Sequence, residues 1–570
     1  MTAAGLKARI ASAIRGEVTD EAAALAAASR DTSLFEVMPG LVARPKDAAD
    51  VQAIVREVRA ARLAGGAACL AARAAGSDMG GGPLTTGVVV SFTEHMNKVF
   101  EVASNLAARH PSADFGVSPP SDGYAVTEPG VFYRDFEKET LKKGLMLPSY
   151  PASRDIAALG GIVANDAGGE RTLEYGKTEK YVEELDVVLS DGSAATFKAL
   201  TPPELARKKE LATLEGEIYR RMDSLLTENA EIIEAHRPRV SKNSAGYALW
   251  SVRDHATGRT NLAKLITGSQ GTLALWTKAK IALVRPKPHR AMLVAFLYDL
   301  APLPDIVARV LPLRPESFES YDDHTFTLAV KFLPEMLAQM GFAKAARLGI
   351  DFIPEAAMVA TGGVPKMILM AEFAEDTLEE ADRKAAAAKK ALESFRIPLK
   401  IEKDEKESEK YWIVRRESFS LLRKNLHGLH TAPFIDDFVV PPSSYPRFLP
   451  KLSALMDEYK DHFIYTIAGH IGNGNFHIIP LMDLAKEENR RVILELARKV
   501  YALVIAEGGT TTGEHNDGII RTPFLPMLFG PQMMALFEQT KKIFDPLNIF
   551  NPGKKVGGTL EDVARDMART

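Results

Sequence analysis

Short apolar runs separated by glycine dominate the chain from Gly66 to about residue 285. ACLAAR, GVVVSF, YAVTEPGV, VEELDVVLSDG and LAKLITGSQGTLALWTKAKIALV each read as strand bounded by turns. Ahead of them, residues 1–30 read as helix from their alanine content. LVARPKDAADVQAIVREVRAARLAG predicts a short strand, a break at Pro45, a cap at Asp47 and an amphipathic helix closing at Gly65 and Gly66. A charged, helical stretch from Pro202 to Arg239 interrupts the strand pattern. From His289 onward strand and helix alternate: AMLVAFLYDL, a helix, SFESYDD, KMILMAEFA and the helix EEADRKAAAAKKALESF, whose lysines form a solvated face. FIYTIAG and FHIIPL, joined by HIGNGN, predict a hairpin with an Asn/Gly turn. NRRVILELARKVYALVIAEGG predicts a last long helix before GEHNDGIIRTPF and FDPLNIFNPGKK.

At 570 residues the chain exceeds one compact core and implies several domains. With 46% hydrophobic and 25% charged residues it has an ordinary globular composition. A formal charge of −3 gives no basic field, which argues against nucleic acid as a partner. The lone cysteine, Cys69, excludes an intrachain disulfide framework, a cysteine zinc site and a self-contained iron–sulfur cluster. A metal would need histidine and carboxylate. The N-terminus lacks an apolar signal core and no run is long enough to span a bilayer, so a cytoplasmic location is expected, with peripheral membrane contact left open.

Two glycine clusters carry the first chemical signal. ARAAGSDMGGGPLTTG (72–87) follows a predicted strand, and its small residues allow several backbone N–H groups to face one anion. PASRDIAALGGIVANDAGGERTLEYGK (151–177) adds close-approach glycines at Gly160 and Gly161 and a tight turn at Asn165, Gly168 and Gly169. Neither is the GxGxxG fingerprint of a Rossmann fold. YGKT resembles the end of a phosphate-binding P-loop, but Arg171 stands where that loop requires glycine. Each cluster alone is compatible with a plain loop; the signal is their pairing around a strand-rich segment.

The succession of Arg73 to Gly82, EPGV, the Pro151–Gly169 block, YGK, VVLSDG, SKNSAGY and TGSQGTL resembles the FAD-binding domain of the vanillyl-alcohol oxidase, or PCMH, type. The resemblance implies that Arg73, Gly76, Ser77 and Asp78 meet the FAD diphosphate. It also implies that Pro151, Gly160, Gly161, Asn165, Gly168 and Gly169 lie near the isoalloxazine or ribityl chain. No histidine or cysteine follows the first loop, so the FAD is expected to be non-covalent.

GHIGNGNFH (469–477) and TGEHNDG (512–518) hold a second constellation. His470 and His477, on two arms of a hairpin, with Glu514 suit Zn²⁺, Mn²⁺ or Fe²⁺ and leave coordination positions open. The alternative is that these histidines cap strands or satisfy loop carbonyls. With the closing FDPLNIFNPGKK, the arrangement resembles the C-terminal domain of the group containing D-lactate dehydrogenase, a glycolate oxidase subunit and D-2-hydroxyglutarate dehydrogenase. The resemblance implies His470, His477 and Glu514 as metal ligands, His515 as catalytic base and Asn551 where the tail returns to the flavin. It matches Arg416, in RRESF, to a substrate-carboxylate arginine, the alternative being an ion pair with Glu417. Asn516 replaces a glycine common in the group, which is expected to reshape the substrate pocket. TAPFIDDFVVP lacks the lysine of hydroxyglutarate-oxidising relatives, which favours a monocarboxylate.

The expected architecture is α+β: a helical segment over 1–33, then a PCMH-type FAD-binding domain over 34–285 with the insertion at about 202–239. A ferredoxin-like substrate domain over 286–510 follows, and residues 511–570 complete the active site. The expected reaction is oxidation of a small D-2-hydroxy acid, D-lactate favoured, to the 2-oxo acid, with hydride passing to flavin N5. An external acceptor is expected: a quinone, a cytochrome, an electron-transfer flavoprotein or an iron–sulfur protein. The oligomeric state stays open, a homodimer among the possibilities. Rival readings are a glycolate or 2-hydroxyglutarate dehydrogenase, an O₂-using oxidase, a metal-dependent hydrolase and a non-catalytic flavin subunit.

Overall fold

A computed structural model of the chain describes residues 3–104, 121–331, 363–403, 407–416 and 428–569. Helices and three sheets make up these residues, an α+β architecture. The first sheet has, in spatial order, strands Glu17–Thr19, Leu41–Arg44, Val88–Ser91 and Leu70–Arg73; the last three run parallel. Helix Ala48–Leu63 is capped by Asp47, whose side chain accepts from the N–H groups of Ala49 and Asp50. Its buried stripe of Val51, Ile54, Val55 and Val58 packs on Val88 and Val90.

Six antiparallel strands form the second sheet: Val99–Ser104, Gly123–Thr127, Leu275–Leu283, Val182–Val188, Ala194–Leu200 and Thr260–Asn261. The charged insertion is three helices, Pro202–Lys209, Leu214–Glu228 and Ala230–Ala235. A capping box of Thr201 and Glu204 opens the first. The second buries Ile218, Tyr219, Met222 and Leu225 in the core that also holds Phe197 and Phe544.

The third sheet is built around His289–Leu297, Met367–Glu375, Ser317–Asp322 and the hairpin Ile464–His470/Asn475–Met482. In strand His289–Leu297, residues 291–297 read as unbroken apolar sequence because both faces are covered. Ala291, Leu293, Ala295 and Leu297 pack in the core with helices Leu303–Val310 and Leu378–Leu392, while Met292, Val294 and Phe296 meet Tyr411 and Val414 on the other side. The hairpin turns through Ile471–Asn473 and Gly474, whose φ of 72° suits glycine.

Two expectations fail locally. Residues 1–30 are not one helix but Ala3–Ala13, strand Glu17–Thr19 and Ala22–Ala28. Past the helix end, Gly16 lies where a Cβ would sit 2.1 Å from the carbonyl oxygen of Arg44, and Asp50 accepts from the N–H groups of Arg15 and Gly16. LAKLITGSQGTLALWTKAKIALV is strand only from Leu275; Ala263–Ile266 is a helical turn, and positive φ at Gly268, Gln270 and Gly271 bends the chain between. No helix of the described residues is long and apolar enough to cross a membrane.

Candidate active site

The first glycine loop leaves strand Leu70–Arg73. Arg73 turns back to the carbonyls of Ala28 and Arg30, and Gly76, at φ 71°, lies against its guanidinium, where a Cβ would overlap Nη2. The Asp78 carboxylate faces the protein: it accepts from Gly80 N–H at 2.5 Å, Asn165 Nδ2 at 3.3 Å and Gln270 Nε2 at 3.4 Å. Burial pushes its pKa up. Asp78 therefore builds the loop, and the backbone and small side chains of Gly76 and Ser77 are what it presents.

In the second block, helix Leu159–Ala164 starts with two glycines of different function. A Cβ on Gly160 would lie 2.8 Å from the Pro129 carbonyl, so the helix can approach that loop only with glycine there. Gly161 has open space where its Cβ would be, on the cavity side. Asn165 joins this block to the first loop through Asp78 and to Gln270, whose Nε2 donates to Asn165 Oδ1 at 3.1 Å. Gln270 also accepts from Gly518 N–H through Oε1 and from Asn551 Nδ2 through its carbonyl. It is the hub that ties both glycine clusters to the C-terminal segments, and sequence reading passed over it inside TGSQGTL.

The histidines converge as the hairpin geometry suggested. His470 Nε2 is 3.1 Å and His477 Nε2 3.3 Å from the same oxygen, Glu514 Oε1; His515 Nε2 is 3.9 Å from it. On the far side of each ring, Nδ1 meets a carboxylate: Glu319 at 2.6 Å for His470, Asp436 at 3.0 Å for His477 and 2.6 Å for His515. Each Nδ1 thus has an acceptor carboxylate on the outer side of its ring, and each Nε2 points inward to the Glu514 carboxylate. The other oxygen of Glu514 accepts from Lys242 Nζ at 2.9 Å, and Lys242 is fully buried. Burial opposes ionisation of Glu514, but Lys242 and His470 overcome it and hold the carboxyl well below its usual range. Burial likewise opposes a charged His477, yet Asp436 and Glu514 push its pKa up to about 10.

Asp437 also lies close to this group. Its carboxylate is consumed by the loop itself: it accepts from the N–H groups of Gly513, Glu514 and His515, from Asn475 Nδ2 and from the Thr512 hydroxyl. These bonds fix the backbone that carries Glu514 and His515. Asp437, His477, Glu514 and His515 are grouped closely enough to hold a cation, and His470 reaches the same Glu514 oxygen, so that with Asp437 spent on the loop, His470, His477 and Glu514 are residues that could hold one. Metal–ligand bonds of 2.0–2.1 Å at tetrahedral angles place donors ~3.3 Å apart, which matches the two His–Glu514 separations.

One cavity of about 730 Å³ is lined by Arg73, Gly76, Ser77, Asp78, Pro151, Gly160, Gly161 and Asn165 from the glycine clusters and by His470, His477, Glu514 and His515. Its size lies in the range of small-molecule sites. Gly168, Gly169 and Asn551 are not among its lining residues. Gly168 instead backs the Glu514 carboxylate, where a Cβ would lie 3.0 Å from Oε2, and Gly169 makes room for the Tyr150 carbonyl. Asn551 Nδ2 bridges the carbonyls of Gly82 and Gln270, which anchors the tail to the first loop. Asn516 takes φ 68°, a conformation asparagine tolerates, and its amide bonds the carbonyls of Asn165 and Gly268. It tethers the second glycine block and does not line the cavity, so the expected reshaping of the pocket is not seen.

Arg416 and Arg415 both reach the cavity. Arg416 makes a two-pronged pair with Glu170, at 2.6 and 3.2 Å, and stacks over Trp412. Arg415 pairs with Glu319 at 3.3 Å, and its buried Nε has no hydrogen-bond partner among the described residues. Glu417, the alternative partner for Arg416, lies outside them. In the TAPFIDDFVVP segment only Thr431 lines the cavity, and residues 432–440 are all buried.

Comparison with known proteins agrees with this arrangement. Residues 39–198 match the FAD binding domain family and residues 286–555 the C-terminal domain of FAD linked oxidases. Among curated relatives, D-2-hydroxyglutarate dehydrogenase of Pseudomonas putida is 27% identical over 95% of this chain and 51% of its own length. A glycolate oxidase subunit of Bacillus subtilis is 25% identical over 92% and 90%, and D-lactate dehydrogenase of Archaeoglobus fulgidus 26% identical over 90% and 91%. The chain spans about half the length of the first of these. Solved structures of p-cresol methylhydroxylase, with TM-score 0.66, 15% identity and coverage of 98% and 97%, and of 4-ethylphenol oxidase from Gulosibacter chungangensis, with 0.65, 16% and 98% of both chains, share the PCMH-type fold. With an FAD binding domain followed by the C-terminal domain of the FAD linked oxidases, the chain belongs to that family of FAD-dependent oxidoreductases.

Proposed function

We propose that this protein oxidises a small D-2-hydroxy acid to the 2-oxo acid, with FAD bound along the two glycine clusters and a divalent cation held by His470, His477 and Glu514. The observation that carries the reading is the single cavity lined both by Gly160 and Gly161 and by the three histidines and Glu514. When bound, the flavin supplies a hydride acceptor at N5 and the cation polarises the substrate hydroxyl. The donor spacing fits Zn²⁺, Mn²⁺ or Fe²⁺.

His515 is the base in this reading. Its Nδ1 is fixed on Asp436, so Nε2 carries the lone pair and lies just beyond the donor set. A hydroxyl proton taken at Nε2 leaves an imidazolium stabilised by Asp436, the economy of a histidine held by a buried carboxylate. We assign the substrate carboxylate to Arg415 instead of Arg416, because Arg415 has a spare buried N–H and sits beside Glu319 and His470, whereas Arg416 is committed to Glu170. The loop of Gly76 and Ser77 offers backbone to the diphosphate without a lysine. Cys69, the one cysteine, is buried beside Thr85, so electrons leave to an acceptor outside these 570 residues.

D-lactate is favoured by the missing lysine in TAPFIDDFVVP, but the buried setting of that segment weakens the argument. D-2-hydroxyglutarate is the second reading, because relatives carry that name. An anaerobic spectral screen of D- and L-lactate, glycolate, malate and D-2-hydroxyglutarate separates these. The account expects yellow protein whose flavin bleaches with a D-2-hydroxy acid; colourless protein points to a hydrolase, and persistent colour with every acid to a non-catalytic subunit.

A further inference from the structure

Asp436 is fully buried, and each of its carboxylate oxygens meets a different imidazole: Oδ1 is 3.0 Å from His477 Nδ1 and Oδ2 is 2.6 Å from His515 Nδ1. The two rings stack, with centroids 4.9 Å apart and planes 27° from parallel. The acid is itself clamped. Arg521, fully buried, donates through Nη2 to the Asp436 carbonyl at 2.8 Å and through Nη1 to the Asn516 carbonyl at 3.1 Å, so strand-end and loop move together. The neighbouring Asp437 lies close to the same group but spends its carboxylate on the N–H groups of Gly513, Glu514 and His515, whereas Asp436 meets the two rings.

We infer that Asp436 is a positioning residue shared between cation binding and proton transfer: one carboxylate fixes both His477 and His515 as Nδ1–H tautomers. The inference rests on the roles proposed above for those two histidines. An ionised carboxylate only accepts, and its two oxygens can take one Nδ1–H each. Nε2 is then the nitrogen each ring turns inward, that of His477 toward a cation that takes the place of its proton and that of His515 toward the hydroxyl proton. Second partners of this kind set ligand orientation and basicity in metal sites and orient the base in nucleophile–base triads. Here a single side chain does both, so the two functions are linked and cannot be tuned apart.

Asp436→Asn tests the sharing, because an amide has one acceptor and one donor end. Only one ring can keep its Nδ1–H bond; the other must turn to the Nε2–H form. In the FAD-loaded variant we expect one of two losses. Divalent-cation affinity falls by about 10–100-fold, or cation binding is kept and anaerobic flavin reduction slows by roughly 10²–10⁴-fold. Cation affinity and reduction rate both within about threefold of the parent would overturn the inference. Should the variant fail to hold FAD, ¹⁵N-histidine NMR of the unmutated, cation-loaded protein decides: Nδ1–H signals for both rings uphold it, and a ring protonated only at Nε2 sinks it. Failure of the underlying roles is read separately, from His477→Ala with unchanged cation content or His515→Ala with unchanged reduction.

Discussion

Lys242→Met gives the sharpest energetic test of how the site is built. Lys242 Nζ lies 2.9 Å from Glu514 Oε2 and 3.4 Å from Asn475 Oδ1, with no exposure to solvent. At that separation and an effective dielectric near 20, the attraction is about 5–6 kcal/mol. Removing the ammonium also removes the cost of burying it. The remaining loss is that of removing one partner from a buried ion pair, about 3–5 kcal/mol, with His470 and His477 still against the other oxygen of Glu514. Urea unfolding of chelator-treated, FAD-loaded protein, followed by flavin fluorescence, should show that loss. Adding a divalent cation should recover part of it, since the cation replaces the missing positive charge beside Glu514. A loss under ~1 kcal/mol, the scale of an exposed pair, would refute the claim that Lys242 keeps Glu514 ionised in the interior.

Two other perturbations probe the supports of the cavity. Asn516→Gly deletes the bonds to the Asn165 and Gly268 carbonyls but keeps the positive φ, so FAD binding should weaken by about 1–2 kcal/mol, roughly tenfold in Kd, by fluorescence titration; unchanged affinity would remove the tethering role. Burial resists ionisation of Glu170, but Arg416 dominates and brings its pKa from 4.5 down to about 2. Its stabilisation is present above pH 4.5 and lost as pH falls through 4.5 to 2, on the order of 3 kcal/mol. Acid titration of stability should flatten in that window in Glu170→Gln, and an unaltered slope would contradict the pairing.

The features legible in the sequence were those whose signal is local. Asp47 announced a helix start, Asn473 and Gly474 a turn, and the histidines 470 and 477 a pair of strands aimed at one point, because residue type and short spacing carry that information. The PCMH-type arrangement was legible through a long ordered series of motifs. What stayed hidden depends on contacts far apart in the chain. Lys242 belongs to SKNSAGY, yet its partner Glu514 is 272 residues away. Asp436 and Asp437 sat in a segment read only for a missing lysine, and Glu319 in a stretch read only as strand. No periodicity distinguishes an acid that grips an imidazole from one that faces water. Arg415 and Arg416 are adjacent in sequence, and only the fold separates the one beside His470 from the one spent on Glu170. Gly168 and Gly169 looked like flavin-lining turns because close approach to any neighbour demands glycine, and here the neighbours are Glu514 and Tyr150.

The most direct measurement of the central claim is anaerobic stopped-flow reduction of the bound flavin in His515→Ala, using whichever D-2-hydroxy acid bleaches the parent protein. The account predicts that the variant retains FAD and cation but is reduced roughly 10²–10⁴-fold more slowly. Reduction at the parent rate would contradict the assignment of His515 as the group that receives the hydroxyl proton.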